Sequence, residues 1–427
     1  MSFEEWKEVR LGDIAHVQTG PFGSQLHQRD YKECGTPIIT VEHLGDNRII
    51  HANTPFVSDE DKERLKKYIL HQGDIVFSRV GSVDRRALVR KREEGWLFSG
   101  RCLRVRVTDP EIDSEYLSYY FGLESFKEYV RRIAVGATMP SLNTKILSNI
   151  KVRIPDFVTQ KNIVKMLSPF DEKIELNNQI NKNLEEMAQA IFKSWFVDFE
   201  PFQNGEFVES ELGLIPKRWE VKQIGDVCTV VGGGTPKTKV AEYWEGGDIL
   251  WATPSDMTSK DSPVIYDTSR KITREGLSNS AAKLVPSGSV IMTSRATIGY
   301  SAITMKELCT NQGFINVVCD ENISSYYMLF YLKYSKDKIK GLANGSTFLE
   351  ISRKVFKEIG IVVPPKHILE KFNEIVEPII QSIYQSEIEI QKLTELRDTL
   401  LPKLMSGEIR VPLENEGRHQ DEQLQRV

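Results

Sequence analysis

The chain has 427 residues, a net charge of −4, 40% hydrophobic residues and 27% charged residues. That length exceeds one ordinary domain and suits two or three, and the mixture is that of a globular protein. No run approaches 18 consecutive apolar residues and the polar start MSFEEWKEVR has no apolar signal core, so neither a membrane span nor a secretory leader is expected.

In chain order, β-rich runs fall at Pro37–Val41, Asp74–Phe77 and Leu103–Val107, followed by a helical run at Ser114–Ile133. A second set falls at Ser289–Met292 and Phe314–Val318, followed by a helical run at Ser324–Gly341. Five scattered cysteines without a C-x-x-C pair fit reduced thiols in a cytoplasm. Overall charge does not favour nucleic acid, but residues 62–106 carry thirteen Lys and Arg against five acids, about +8, which predicts one basic face. The polar end ENEGRHQDEQLQRV reads as disordered.

The two sets are one set repeated. Trp6–Ile14 (WKEVRLGDI) aligns with Trp219–Val227 (WEVKQIGDV), Gly73–Arg79 (GDIVFSR) with Gly288–Arg295 (GSVIMTSR), and Gly136–Leu142 (GATMPSL) with Gly345–Ile351 (GSTFLEI). Lys145, Ile150 and Pro155 then match Lys354, Ile359 and Pro364. The order holds over some 200 residues, so a whole domain is duplicated. The glycine-rich VVGGGTPKTK at 230–239 falls opposite QTGPFG at 18–23. Neither is a phosphate-binding P-loop, because both lack the Gly-Lys pair at the required spacing. Each is either a plain turn after a strand or a turn whose backbone N–H groups, with Lys237 and Lys239, touch DNA phosphates.

Each half closes in a long helical pattern. Ile163, Leu167, Phe170 and Ile174 recur at 3–4 spacing, and Leu184, Ala188, Ile191 and Trp195 resume it past Asn177 and Asn181. Phe372, Ile375, Ile379, Ile383, Ile390, Leu393, Leu400 and Leu404 do the same in the second half. Pro169 and Pro378 predict a short helix, a kink and then a helix of some 30 residues, roughly 45 Å long. Each stripe either packs into its own domain or finds the other helix as an antiparallel partner, with the asparagines fixing register.

Catalytic patterns are missing. There is no H-E-x-x-H, no metal-spaced Cys/His cluster, no G-x-S-x-G, no EF-hand loop and no [DN]-P-P-[YF]. A duplicated domain without a repeated acid/base set points to binding.

Four segments carry a resemblance: Leu184–Pro201 (LEEMAQAIFKSWFVDFEP), Glu211–Trp219 (ELGLIPKRW), Thr310–Phe314 (TNQGF) and Leu396–Ile409 (LRDTLLPKLMSGEI). Together they resemble the specificity subunits of Type I restriction–modification systems, and the likeness spans the whole chain. The resemblance implies an α+β (mixed α/β) fold. Two tandem homologous target-recognition domains would be separated by two long antiparallel conserved helices in a pseudo-twofold, circular arrangement. The expected boundaries are 1–155 and 217–364 for the recognition domains, 156–200 and 365–407 for the spacer helices, 201–216 for a linker and 408–427 for a partly disordered tail.

The resemblance further implies a non-catalytic subunit whose domains each read one half of a bipartite, asymmetric target on double-stranded DNA. The helices would set the unread spacer and dock two methylation subunits, and motor–nuclease restriction subunits would complete the complex. S-adenosylmethionine, ATP and Mg are expected on those partners, with no cofactor and no metal here, no membrane, and a cytoplasmic location. Gly407–Pro412 falls where, after the first helix, the chain enters the next domain, so the two ends of the chain are expected to meet.

The residues expected at DNA are Thr19, Ser24, His27, Arg79, Arg85, Arg86 and Thr138 in the first domain, and Thr235, Lys237, Lys239, Arg295 and Thr347 in the second. Arg79 and Arg295 share one slot and either contact phosphate or guanine or form surface salt bridges. Thr138 and Thr347 touch phosphate or cap a turn. Asn311 and Gln312 read adenine or serve structural hydrogen bonds. Ile191, Trp195, Phe196, Phe199, Leu400 and Leu404 are expected to dock partners or to pack. A coiled-coil scaffold for proteins, or a nucleotide-dependent enzyme using the glycine turn, are the rival readings.

Overall fold

A computed structural model describes residues 6–136, 138–320, 322–345 and 349–411. The chain forms two units, residues 1–173 with 392–427, and residues 174–391.

The first unit opens with β1 (Lys7–Arg10), α1 (Leu11–Ile14) and β2 (Ala15–Thr19), then β3 (Thr36–Ile39), β4 (Phe56–Val57) and α2 (Asp59–Arg64). Strands β5 (Ile75–Ser78), β6 (Arg86–Leu88), β7 (Leu97–Phe98) and β8 (Cys102–Val107) follow. Helices α3 (Ser114–Tyr120), α4 (Glu124–Ile133) and α5 (Thr144–Ser148) and strand β9 (Lys151–Ile154) lead into α6 (Phe157–Phe196). A hairpin of β10 (Phe207–Ser210) and β11 (Gly213–Pro216) then occupies what the sequence reads as a linker.

The second unit repeats the plan with β12 (Glu220–Gln223), α7 (Ile224–Val227), β13 (Cys228–Gly232), β14 (Ile249–Ala252), α8 (Pro254–Thr258), β15 (Val264–Ile265), β16 (Arg270–Ile272) and α9 (Arg274–Ser278). Then come β17 (Val290–Thr293), β18 (Ser301–Thr304), β19 (Cys309–Thr310) and β20 (Phe314–Cys319). Helices α10 (Ser325–Tyr334), α11 (Lys336–Gly341) and α12 (Arg353–Lys357) and strand β21 (Gly360–Val363) precede α13 (Lys366–Met405).

The duplication holds strand by strand. Sheet β2-β8-β5-β6 corresponds to β13-β20-β17-β18, which gains β15 at its edge, and β4-β3-β7 corresponds to β16-β14-β19. The pair β1–β9 corresponds to β12–β21. Helix starts repeat too: Asp113 and Ser324 cap α3 and α10, and Asn143 and Ser352 cap α5 and α12, each accepting an N–H from the third helical residue. The central strands β5 and β17 are buried along their whole length, which is why they read as continuous apolar runs.

The helices depart from the sequence reading. Each is a single run of 40 residues, about 60 Å at 1.5 Å per residue, rather than a short helix, a kink and a 30-residue helix. Pro169 lies inside α6, and Pro378 lies inside α13. A proline forfeits one hydrogen bond, but flanking turns and packing carry the helix through. Phe372, Ile383, Ile390 and Leu404 of the expected α13 stripe are buried, but Val376 and Ile380 take the inward places expected of Ile375 and Ile379, and Ile375 faces out.

In both units the helix segments run antiparallel. In the first, Ile163, Val164 and Leu167 share a core with Leu401, Leu404 and Met405. In the second, Asn177 donates to Glu389 at 2.7 Å and Asn181 to Glu387 at 3.4 Å, so the expected core asparagines meet carboxylates of the opposite helix. The expected meeting of the chain's ends is visible within the first unit. Trp6, Ile409 and Val411 all pack on its core, and a Cβ on Gly407 would lie 3.6 Å from the Trp6 indole. The expected tail lies outside the described residues from 412 onward.

Candidate nucleic-acid interface

In the first unit, the turn leaving β2 packs backbone to backbone against the turn before β8. A Cβ on Gly20 would sit 2.2 Å from the Ser99 carbonyl, and one on Gly100 2.3 Å from the Pro21 carbonyl. Only glycine fits such an approach. Arg79 donates from Nη1 to the Gly100 carbonyl at 2.9 Å, and its guanidinium lies 5.5 Å from the ring of Phe22, which is 60% exposed. Phe22, Tyr31, His43, Arg79 and the exposed Arg101 line a cleft of about 570 Å³. Thr19 ends β2 opposite Leu103, and the His27 N–H donates to Asp30 at 2.7 Å, which ties His27 into a local cap. Thr138 is exposed on the turn after α4; the Ser24 side chain and Thr347 lie outside what the structure describes.

Two expected DNA contacts are turned inward. Arg86 is 3% exposed, donating to the Ser118 carbonyl and to Asp46, each at 3.0 Å. Arg85 donates to the Leu44 carbonyl. Other cations of the 62–106 stretch are spent likewise. Arg104 is buried, Arg106 pairs with Asp74 at 2.6 Å, and Arg90 with Glu115 at 3.4 Å. The expected basic face is therefore weaker than the local net charge implies, because Asp46 and Glu115, outside residues 62–106 in the chain, meet these cations in the fold.

In the second unit, the glycine turn is again a close approach. A Cβ on Gly233 would meet the Asn311 carbonyl at 2.0 Å, and one on Gly234 the Ala281 backbone at 2.3 Å. No α-helix follows the turn as a P-loop requires; the next regular element is a short 3-10 turn at Ala241–Tyr243. Asn311 Oδ1 accepts from the Gly313 N–H at 2.8 Å, which ties Asn311 into its own turn, and the exposed Gln312 accepts from the Thr235 hydroxyl. Lys237 and Lys239 are exposed on the loop beyond. Arg295 faces Glu350 at 3.8 Å as a surface ion pair.

One cluster has no counterpart in the sequence reading. The Trp251 indole donates to the Gly234 carbonyl at 2.9 Å, and the Trp244 indole donates to the Lys237 carbonyl at 3.2 Å. The two rings meet edge-to-face at 4.9 Å. Arg270, opposite Trp251 in the β14–β16 register, lays its guanidinium 3.7 Å from the Trp244 centroid and 5.4 Å from that of Trp251. Two tryptophans seven residues apart were the available signal; the partner cation is supplied only by sheet register.

Of the expected docking residues, Phe196 and Leu404 are buried, and Ile191, Trp195, Phe199 and Leu400 are partly buried against the unit cores. Phe196 meets Tyr327 and Phe372 edge-to-face, and Phe199 and Phe202 cover Trp219. These residues pack their own unit. Burial pushes the Cys102 and Cys309 thiols up to about 12, far from a reactive thiolate. Among the described residues no cluster of His, Cys, Asp or Glu gathers to hold a metal, and no helix is long and apolar enough to cross a membrane.

A doubled α+β domain with two unlike polar surfaces and a paired helix defines a recognition protein. Residues 3–186 and 216–397 each match the Type I restriction modification DNA specificity domain, and the chain belongs to that family. It is 27% identical to the Type I restriction enzyme HindI specificity subunit of Haemophilus influenzae, over 95% of this chain and 100% of that protein. It is 28% identical to the Type I restriction enzyme MjaIX specificity subunit of Methanocaldococcus jannaschii, over 96% and 94%. The crystal structure of a Type I restriction–modification S subunit from M. genitalium shares the fold, with a TM-score of 0.58 and 18% identity over 93% of this chain and 96% of that one. The chain is thus a DNA-recognition component of such a system, not its catalyst.

Proposed function

We propose that each unit reads one half of a split, asymmetric DNA target while α6 and α13 set the number of unread base pairs between the halves. The observation that carries this reading is a duplicated specificity fold whose copies share a skeleton but not a surface. Phe22 and Arg79 mark one surface, and Lys237, Lys239 and Arg270 the other. Unlike surfaces select unlike half-sites. In the assembled complex, two methylation subunits dock on the helices and motor–nuclease subunits join them. S-adenosylmethionine, ATP and Mg then belong to those partners, and the complex works in the cytoplasm. The exposed apolar residues Leu176 (53%), Ile180 (40%) and Met187 (54%) of α6 favour one side of that helix for docking.

Methylome sequencing of a strain carrying this chain with its methylation subunits tests the reading. Replacing residues 1–155 by the corresponding domain of a relative alters one half-site only. A change in both halves, or in neither, removes the assignment.

A further inference from the structure

The shared skeleton of the two units cannot tell one half-site from another, so discrimination must come from what is grafted on it. The clearest graft is the tryptophan shelf of the second unit. In the first unit the strand equivalent to β14 reads Thr36-Pro-Ile-Ile39 and pairs with Phe56–Val57, with no indole and no cation at the matching place. In the second unit the two indoles are held by their hydrogen bonds to the Gly234 and Lys237 carbonyls. The same bonds hold the loop that carries Lys237 and Lys239. Arg270 is exposed, and among the described residues no carboxylate lies within ion-pair distance of it.

With its guanidinium carbon 3.7 Å from the Trp244 centroid, Arg270 rests against a ring that offers no in-plane acceptor, so its N–H donors are left for another partner. What such a fork lacks is a planar pair of acceptors. Resting on the half-site reading above, we propose that Arg270 is a specificity-determining residue, presenting its fork to the O6 and N7 edge of one guanine, while Lys237 and Lys239 hold the adjacent backbone as point charges. The shelf restricts the side chain before DNA arrives, which reduces the ordering cost of a long flexible residue.

The test uses the full chain assembled with its methylation subunits, and duplexes varied at every base pair of the target that methylome sequencing defines. Arg270→Lys keeps the charge and removes the planar fork. The expected result is a loss of guanine preference at one position of one half-site, roughly tenfold or more. The other half-site, the affinity for unrelated DNA and the salt dependence stay as they were. Lys237→Ala and Lys239→Ala weaken binding to all sequences alike and make it less salt-dependent.

If Arg270→Lys leaves every base preference intact, the assignment is overturned. If Arg270→Ala lowers affinity for all sequences evenly and reduces the salt slope by about one, Arg270 is a phosphate contact and the assignment is again overturned. A wild-type complex with no sequence preference at all would instead sink the half-site reading, and this proposal with it.

Discussion

Arg397 of α13 donates from Nη1 to Asp171 of α6 at 2.7 Å, and from Nη2 to Asp46 of the recognition domain at 2.8 Å. Asp171 is 1% exposed and also accepts from the Tyr119 hydroxyl at 2.7 Å. One guanidinium therefore fastens both helix segments of the first unit to the domain they carry. Arg397→Ala leaves a buried carboxylate without its cation and is expected to destabilise this unit by about 3–5 kcal/mol. Adding Asp171→Asn to Arg397→Ala recovers part of that loss, because the neutral amide strands no charge and can still accept from the Tyr119 hydroxyl. Denaturant unfolding of the single and double variants measures the coupling, and additive effects would contradict it.

The same network sets an acid dependence. Burial alone would raise the Asp46 carboxyl, but the Arg86 and Arg397 guanidiniums outweigh it and hold Asp46 down at about 2. An unfolded aspartate titrates near 3.9. Because the folded value is the lower one, this stabilisation is complete above roughly pH 4 and is lost as the pH falls toward about 2. About half of the Asp46 side chain is exposed, so solvent keeps the effect small. Unfolding midpoints of wild type and Asp46→Asn should converge as the pH drops through that window. Midpoints that stay parallel down to pH 2 would remove Asp46 from the acid response.

The glycine turns separate packing from backbone freedom. Gly233 has no positive φ, yet an added Cβ would overlap the Asn311 carbonyl at 2.0 Å, whereas Gly213 has φ +99° and open space around it. Gly233→Ala is expected to shift backbone and cost about 2 kcal/mol or more, by overpacking. Gly213→Ala costs only its left-handed strain, about 1 kcal/mol. Thermal unfolding ranks the two, and the reverse order would show that the turn relaxes freely.

Core and surface of α6 give opposite phenotypes. Phe192 is 1% exposed, amid Phe196, Tyr327, Phe330 and Phe372, and Phe192→Ala should cost about 3–5 kcal/mol. Met187→Glu, on an exposed position, leaves stability within about 0.5 kcal/mol and weakens assembly with the methylation subunits. Unfolding and co-purification read these separately; a Met187→Glu chain that assembles normally places the docking surface elsewhere.

What was legible in the sequence was what short-range pattern encodes. Apolar runs announced β5, β8, β17 and β20, and matched words announced the duplication. At Pro169 and Pro378 the sequence predicts a break by a local rule, and tertiary packing overrides it. The basic stretch misled for a different reason. Arg86 and Arg90 are answered by Asp46 and Glu115, acids that only the fold brings near. Arg270 went unseen because nothing at 269–271 reveals that Trp251 will be its strand neighbour.

The split of the first unit between residues 1–173 and the stretch from 392 onward carries a further consequence for how the molecule is born. The second unit is one contiguous stretch, so it is ready to collapse as soon as residue 391 clears the ribosome. The first unit, though translated earlier, must wait for Arg397, Leu401 and Leu404 to supply its missing wall. The half made first is therefore the half finished last, because Leu401, Leu404 and Met405 join its core only when the final segment arrives.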